Sequence, residues 1–456
     1  MFLTNSIYWD DWALFGTTPN PNKILETLKQ HGSFGNEFGY IYLAMVSIGY
    51  PWFYKVCTFI LSFFTGVFVW KIASKQPWIN QQERYFIALL FLITPCFAAR
   101  VVMIDFPYLL CVFLFFGAWT VMDQFRVFSL LLFFLSFDTE SLLVFYALPM
   151  LDWLCRDLSE FDLKKLSNWC ISKADFLIIP FAWFSLKLIF FKPYGLYRGY
   201  NETYSLKYLL TTPLKMVFDW LMLNINLSTT ILIFALLLIG NILPEAKFRS
   251  RQRNILYSGL LALFLGLFPY MILGHIPTFT EWASRHQLLM PLGLSLLSIW
   301  MISSLGNAHR KLYVAFVVAV CLSINTKNYL DFYFDWKKQL SIVQFVKNSE
   351  EVKKSSLVLV NDQTPNALQR SYRFYEWNGL LKSAFRDESR FGIDLSQMAN
   401  YDAGKFDEYF LPDYSAGNHV RNKQENRIIL TIEKSDNTFL RAPSYNFSVN
   451  RVVLIQ

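Results

Sequence analysis

Charge is what this chain has least of. Of 456 residues only 17% are Asp, Glu, Lys or Arg, while 54% are hydrophobic and 18% aromatic, with 45 Phe. Soluble domains carry about 25% charged residues. The shortage excludes a soluble globule as a description of the whole chain and leaves a polytopic membrane protein with a more polar tail. Cysteine is scarce as well. Cys57, Cys96, Cys111, Cys155, Cys170 and Cys321 all lie in or beside apolar segments, and none follows residue 335. That spacing excludes a disulfide framework or a zinc site and leaves small apolar side chains. Long basic runs are missing too. The net charge of +8 is made of short clusters between apolar segments, which excludes a nucleic-acid surface and puts the basic residues where membrane orientation signals lie.

What is present begins at the amino end, in Asn5-Ser6-Ile7-Tyr8-Trp9-Asp10-Asp11-Trp12. Adjacent carboxylates repel, and each needs hydrogen bonds or a cation to stay ionised. The flanking aromatic rings prefer the headgroup level, with one end apolar and one end wet. The motif therefore reads either as two acids facing an aqueous cavity at a membrane boundary or as an interfacial aromatic belt with two solvated acids.

Apolar runs with turn and charge punctuation predict about ten crossings, at 52–73, 85–99, 106–122, 127–137, 141–153, 174–191, 226–243, 255–274, 288–305 and 312–334. The fourth and fifth are short and meet at Phe137-Asp138-Thr139-Glu140-Ser141, which suggests helix tips lining a wet cavity. Lys71, Lys75, Arg84, Arg126, Arg156, Lys164, Lys165, Lys173, Lys247, Arg249, Arg251, Arg253, Arg310 and Lys311 all fall on one side under strict alternation, and that side is cytoplasmic by the positive-inside rule. The other side receives the Tyr8–Trp12 motif, 100–105, 138–140, a long 192–225 loop, 275–287 and the tail. With only seven residues before Tyr8, a first helix upstream of the given start is expected. Lys23–Gln30 carries Ile24, Leu25 and Leu28 at helical spacing and reads as a short amphipathic helix lying on the membrane face or packed on the bundle. The domains are accordingly an extracytoplasmic motif loop and amphipathic helix (1–51), a helical membrane domain (52–335) and a soluble extracytoplasmic α/β domain (336–456). In the last, 337–348 reads as a helix, and 356–362, 427–433 and 451–455 read as strands. Asn361-Asp362 at the end of the first strand reads as a turn more readily than as a ligand site.

On the outer side the polar set is Asp10, Asp11, Arg100, Asp105, Asp138, Glu140, Tyr197, Arg198, Tyr200, Asn201, Glu281, Arg285 and His286. Acids able to act as a base share one face with arginines able to bind phosphate bidentately. Each arginine alone also reads as a snorkelling headgroup contact. The acidic motif in the first outer segment, the amphipathic helix after it, the many crossings and the carboxy-terminal outer domain resemble the GT-C superfamily of integral-membrane glycosyltransferases. The motif-level match is Tyr8–Trp12 alone, and the chain departs from the family in lacking a helix before it. The resemblance implies transfer of a sugar from a polyprenyl-phosphate carrier to an extracytoplasmic glycan, glycolipid or protein, usually with inversion. Asp10 or Asp11 would then be the base and Arg100 and Arg285 the phosphate contacts. Asp105, Glu140, Tyr197, Asn201 and His286 would line the substrate site. The setting implied is a bacterial inner membrane, with membrane lipids as neighbours. An Asp pair can also hold Mg²⁺ or Mn²⁺, although a base needs a free carboxylate. The alternative is a secondary transporter or lipid-carrier flippase, which predicts matching broken helices in two halves; the break at 137–141 has no counterpart in the sequence.

Overall fold

The computed structural model describes residues 5–14, 21–32, 39, 41, 45, 51–158, 162–199, 206–221, 225–243, 253–279, 282–364, 368, 370–386, 389–406, 426–435 and 444–451. The molecule is mostly helical, with a small sheet near the carboxyl end. Each of the ten apolar segments holds helix, because an apolar run isolated from water satisfies its backbone most simply within itself. Local chemistry sets several starts. Asn80 accepts from the Gln82 and Glu83 amides while Glu83 reaches back to the Asn80 amide, a reciprocal cap that opens Gln81–Ile93. Asn226 caps Leu227–Ile239 through the Thr229 amide, and proline stands in the first turn of Phe106–Val121 and of Met290–Ser303.

Among the described residues four helical stretches are long and apolar enough to cross a membrane: Pro51–Ser74, Met103–Val121, Arg253–Ile272 and His309–Asn348. The other described helices are shorter than the roughly 20 residues a crossing needs. Large apolar side chains point outward along several helices, among them Phe59, Phe63, Phe181, Phe190, Leu232 and Ile239. Helix–helix packing is tightest where small residues meet. A Cβ on Gly293 would lie 2.6 Å from the Leu263 amide nitrogen and 2.9 Å from the Gly259 carbonyl oxygen, so Arg253–Ile272 and Met290–Ser303 touch backbone to backbone.

Two features depart from the sequence reading. The 192–225 loop contains a helix, Leu206–Leu221, with Pro213 inside it. The boundary set at 335/336 falls within one unbroken 42-residue helix, Asn307–Asn348, which runs from the helical domain into the tail. At about 1.5 Å per residue it is roughly 60 Å long, twice the hydrocarbon thickness.

The tail forms a four-stranded sheet from β1 (Leu357–Asp362), β2 (Phe391–Asp394), β3 (Arg427–Lys434) and β4 (Tyr445–Arg451), in the order β2-β1-β3-β4. β1 runs parallel to β2 and β3, with Leu357 opposite Phe391 and Arg427; β4 is antiparallel to β3, with Ile428 opposite Arg451. The sequence predicts the last strand at 451–455; β4 begins at Tyr445 and reaches that range only at Arg451, and residues 452–455 lie outside the described residues. The two faces of β1 divide by the strand period of two. Leu357 and Leu359 pack with Phe391, Ile393, Tyr401 and Phe406. Val358 and Val360 face the other way, into a cluster that also holds Ile7, Trp12, Tyr54, Met103, Phe106 and Ile342. The motif, the ends of two long helices and the tail therefore share one core. Asp362, at the end of β1, accepts from the Thr364 amide (3.1 Å) and pairs with buried Lys338 (2.5 Å), so it closes a turn.

Candidate active site

The motif is held from all sides. Tyr8 donates its hydroxyl to the Phe332 carbonyl (2.8 Å), and the indole of Trp12 donates to Gln339 Oε1 (3.2 Å). Gln339 in turn donates to Asp335 (2.7 Å), whose other oxygen accepts from Tyr372 (2.8 Å). The Trp12 ring lies on Gly379 of the tail helix Phe374–Phe385, where a Cβ would come within 2.4 Å of it. Between these anchors Trp9 adopts a left-handed backbone (φ 48°), a conformation that costs a non-glycine residue roughly 1–2 kcal/mol. Its ring is fixed edge-on against Trp282 and Phe332, both at 5.5 Å, with the Arg370 guanidinium 5.1 Å from its centre.

After this kink the two acids part. Asp11 is fully buried and accepts from the Met103 (3.0 Å) and Ile104 (2.9 Å) amides with separate oxygens. It thus caps the short turn Met103–Asp105 at the head of a long helix. Burial raises its pKa to about 7, outweighing those amides and the field of Lys55. Asp10 is half-buried and accepts from the Tyr375 hydroxyl of the tail helix (2.5 Å). Of the two, Asp10 keeps partial exposure, whereas Asp11 is occupied in holding the 103–105 turn. Both oxygens of Asp11 accept from amides, and among the described residues no group of three His, Cys, Asp or Glu side chains is placed to hold a metal ion.

Asp105 is fully buried, and among the described residues neither of its oxygens has a hydrogen-bond partner. The charges that act on it are Arg285, Asp11 and Asp10. Arg285, in the turn Trp282–Gln287, lies 4.4 Å over the Trp282 ring and points its Nε at His286 Nε2 (3.5 Å). His286 stacks on His275 (4.6 Å between centroids). Burial first, and then Arg285, lowers its pKa to about 3, so it is a neutral ring at physiological pH. The same turn is tied to the Ala98–Val101 turn by the Ala99 amide donating to Ser284 Oγ (2.9 Å).

Glu140, Arg285 and His286 line one cavity of about 340 Å³, together with His31, Asp138 and Tyr270. Glu140 is paired with Lys187, and Tyr270 donates to Ser141 (3.0 Å). Tyr197 reaches the rim through His31, its ring edge-on at 5.0 Å, where the Gly195–Tyr197 turn docks on the helix Pro21–His31. Burial lowers the His31 pKa to about 4. Asn201, Tyr200 and Glu281 lie outside the described residues. Arg100 is not part of this cavity. It lines a separate groove and donates to Asn325 Oδ1 (3.0 Å). A cavity of about 410 Å³ at the opposite helix ends is largely apolar, and its acid, Asp152, is bound to Gln76, Trp119 and Arg156.

Sequence reasoning missed His31, His275, Tyr270, Lys187, Arg370 and Tyr375. The first five stand alone among apolar or loop residues without a motif, and Tyr375 is brought to Asp10 only by the tail fold. Compared with protein-family models, curated proteins and solved structures, the chain matches none.

Proposed function

We propose that the chain is an integral-membrane glycosyltransferase that moves a sugar from a polyprenyl-phosphate carrier to an extracytoplasmic acceptor. The observation that carries this reading is Arg285, which shares one cavity with Asp138, Glu140 and His286 and acts electrostatically on Asp105, a buried acid without a hydrogen-bond partner among the described residues that also feels Asp10 and Asp11. In the proposed step an acceptor hydroxyl attacks the anomeric carbon as its proton passes to Asp10. The new C–O bond forms while the bond from that carbon to the phosphate oxygen breaks, inverting the centre and releasing polyprenyl phosphate. Arg285 supplies paired donors to the departing phosphate, where negative charge grows. Asp11 keeps the 103–105 turn, and with it Asp105, in place. Asp138, His275 and neutral His286 offer hydrogen-bonding groups for sugar hydroxyls. The membrane setting draws support from the four long apolar helices and the outward apolar side chains. Outside placement of the site rests on the distribution of basic residues.

The test is transfer by the purified full chain in liposomes, supplied with a panel of radiolabelled polyprenyl-phosphate hexoses and pentoses and a cell-envelope acceptor extract. Label moving into acceptor, lost with Asp10→Asn, is the expected result. If no donor is consumed while labelled polyprenyl phosphate crosses the bilayer, the chain is a carrier of lipids and the proposal fails. Cysteines introduced at Ser33, Ser250 and Ser415 test sidedness: an impermeant thiol reagent applied from outside should label the first and third only.

A further inference from the structure

The groove that holds Arg100 does not belong to the cavity of Arg285, yet it has a composition of its own. About 270 Å³ in volume, it is walled by Lys55, Thr58, Phe59, Ser62, Phe63 and Arg100, with Leu92 and Ile93 behind. No acid lines it. Among the described residues Arg100 makes no ion pair; its hydrogen bond is to Asn325, which is itself fixed by donating to the Ile93 (2.6 Å) and Cys321 (2.9 Å) carbonyls. A guanidinium carries five N–H donors in a planar fork, so one amide oxygen leaves most of that fork to an anion. Lys55 is the second basic residue of the lining, but its buried ammonium donates to the Ser6 carbonyl (3.0 Å) and hydroxyl, so Arg100 is the cation that meets an incoming anion.

We propose that this groove binds the phosphate of a membrane lipid, with its chains lying along exposed Phe59, Ile60, Phe63 and Phe64 on the outer surface of the helix Pro51–Ser74. Charge complementarity argues for the headgroup: a cationic recess without an acid gains from an anion, and a phosphate matches the guanidinium fork bidentately. Position argues for a lipid rather than a free anion. Beyond the cations the wall of the groove is phenylalanine, about half exposed at Phe59 (51%) and Phe63 (48%), which an aqueous ion would not cover but an acyl or isoprenoid chain would. Depth agrees as well. Lys55 bonds Ser6, so the cationic end lies at the level of the aromatic motif, where headgroups sit if this helix crosses the membrane. The inference stands whether or not the protein transfers a sugar. The phosphate could come from a bilayer phospholipid or from a polyprenyl phosphate.

The experiment is native mass spectrometry of the full chain released from detergent micelles doped with phosphatidylglycerol, phosphatidylcholine or decaprenyl phosphate. The wild type is expected to retain an anionic lipid through activation and to shed phosphatidylcholine. Arg100→Gln should lower the retained fraction about tenfold or more, the scale of a lost charge-assisted bond. Ser62→Phe, which fills the groove and removes no charge, should do the same, while Arg126→Gln, at an exposed cation paired with Asp175 on another helix, should not. Retention of phosphatidylglycerol assigns a bilayer lipid, and retention of decaprenyl phosphate alone assigns the carrier. Equal retention of phosphatidylcholine, or an adduct that survives both Arg100→Gln and Ser62→Phe, overturns the proposal.

Discussion

The Tyr375 hydroxyl donates to Asp10 Oδ1 at 2.5 Å across 365 residues of sequence, so the tail domain reaches the acid motif directly. Tyr375 itself is largely buried, and burial together with Asp10 raises its pKa, which keeps it a donor throughout the working pH range. A carboxylate held in this way is oriented before any substrate arrives.

If Asp10 is the base, Asp10→Asn should cut turnover by roughly 10²–10⁴-fold with the fold intact. Tyr375→Phe removes a hydrogen bond to a charged group, worth about 1.5–3 kcal/mol, and should lower turnover by less. The double variant should resemble Asp10→Asn alone, because the tyrosine acts through the acid. Steady-state rates and melting curves of the three variants separate this from a structural role: a hydroxyl that only docks the tail would lower the melting temperature and leave turnover unchanged.

Asp11 makes stability depend on pH in an unusual direction. Its folded pKa, about 7, lies above the ordinary carboxylate value of 3.8 because burial opposes the charge. Between those values the native chain therefore binds more protons than the unfolded one, and stability falls as pH rises. This contribution is full below pH 4 and lost by about pH 7. Asp11→Asn should flatten that part of the curve, at a cost of about 1–3 kcal/mol because one of two buried amides loses its acceptor. Melting temperatures from pH 4 to 8 check it; an unchanged slope in Asp11→Asn would falsify the assignment.

The junction between motif and tail should also break in a specific way. Arg370 forms two hydrogen bonds to buried Glu376 (2.7 and 2.5 Å) while its guanidinium lies beside Trp9. Arg370→Gln leaves that carboxylate without its cation, a loss of about 3–5 kcal/mol for a buried pair. Replacing both residues with apolar ones of similar size should recover much of it. Limited proteolysis of the tail, compared across the single and double variants, reads the outcome; equal protection in Arg370→Gln and wild type would remove the pair from the docking account.

The helical domain was legible because apolar runs bounded by charges have few alternatives to helix, and the starts at Gln81 and Leu227 carry readable caps in Asn80 and Asn226. β1 and β3 were legible from their apolar runs. The helix Leu206–Leu221 was hidden by Thr211-Thr212-Pro213, which reads as a break, although helix forms on both sides of the proline. The separation of Arg100 from Arg285 had no sequence signal: both precede an apolar helix on the same expected face, and only the packing of the 98–101 and 282–287 turns sends them to different cavities. Nor does adjacency in sequence predict that Asp10 and Asp11 diverge, since the left-handed turn at Trp9 is set by the rings and the cation packed around it.

Arg285 is where the phosphate hypothesis is most exposed to test. Its guanidinium is steered by Trp282 beneath it and by His286, which accepts at Nε2 and is held neutral at the pH of assay. A planar fork so fixed can grip a phosphate with two parallel bonds, whereas lysine offers a compact point charge. Arg285→Lys and Arg285→Gln should therefore both lose about 1.5–3 kcal/mol in donor affinity or turnover, with melting temperatures close to wild type. If charge alone matters, lysine will restore what glutamine loses. Donor titrations of the two variants at fixed acceptor decide between a bidentate grip and a diffuse field, and a wild-type profile for Arg285→Gln would show that this arginine does not touch the donor at all.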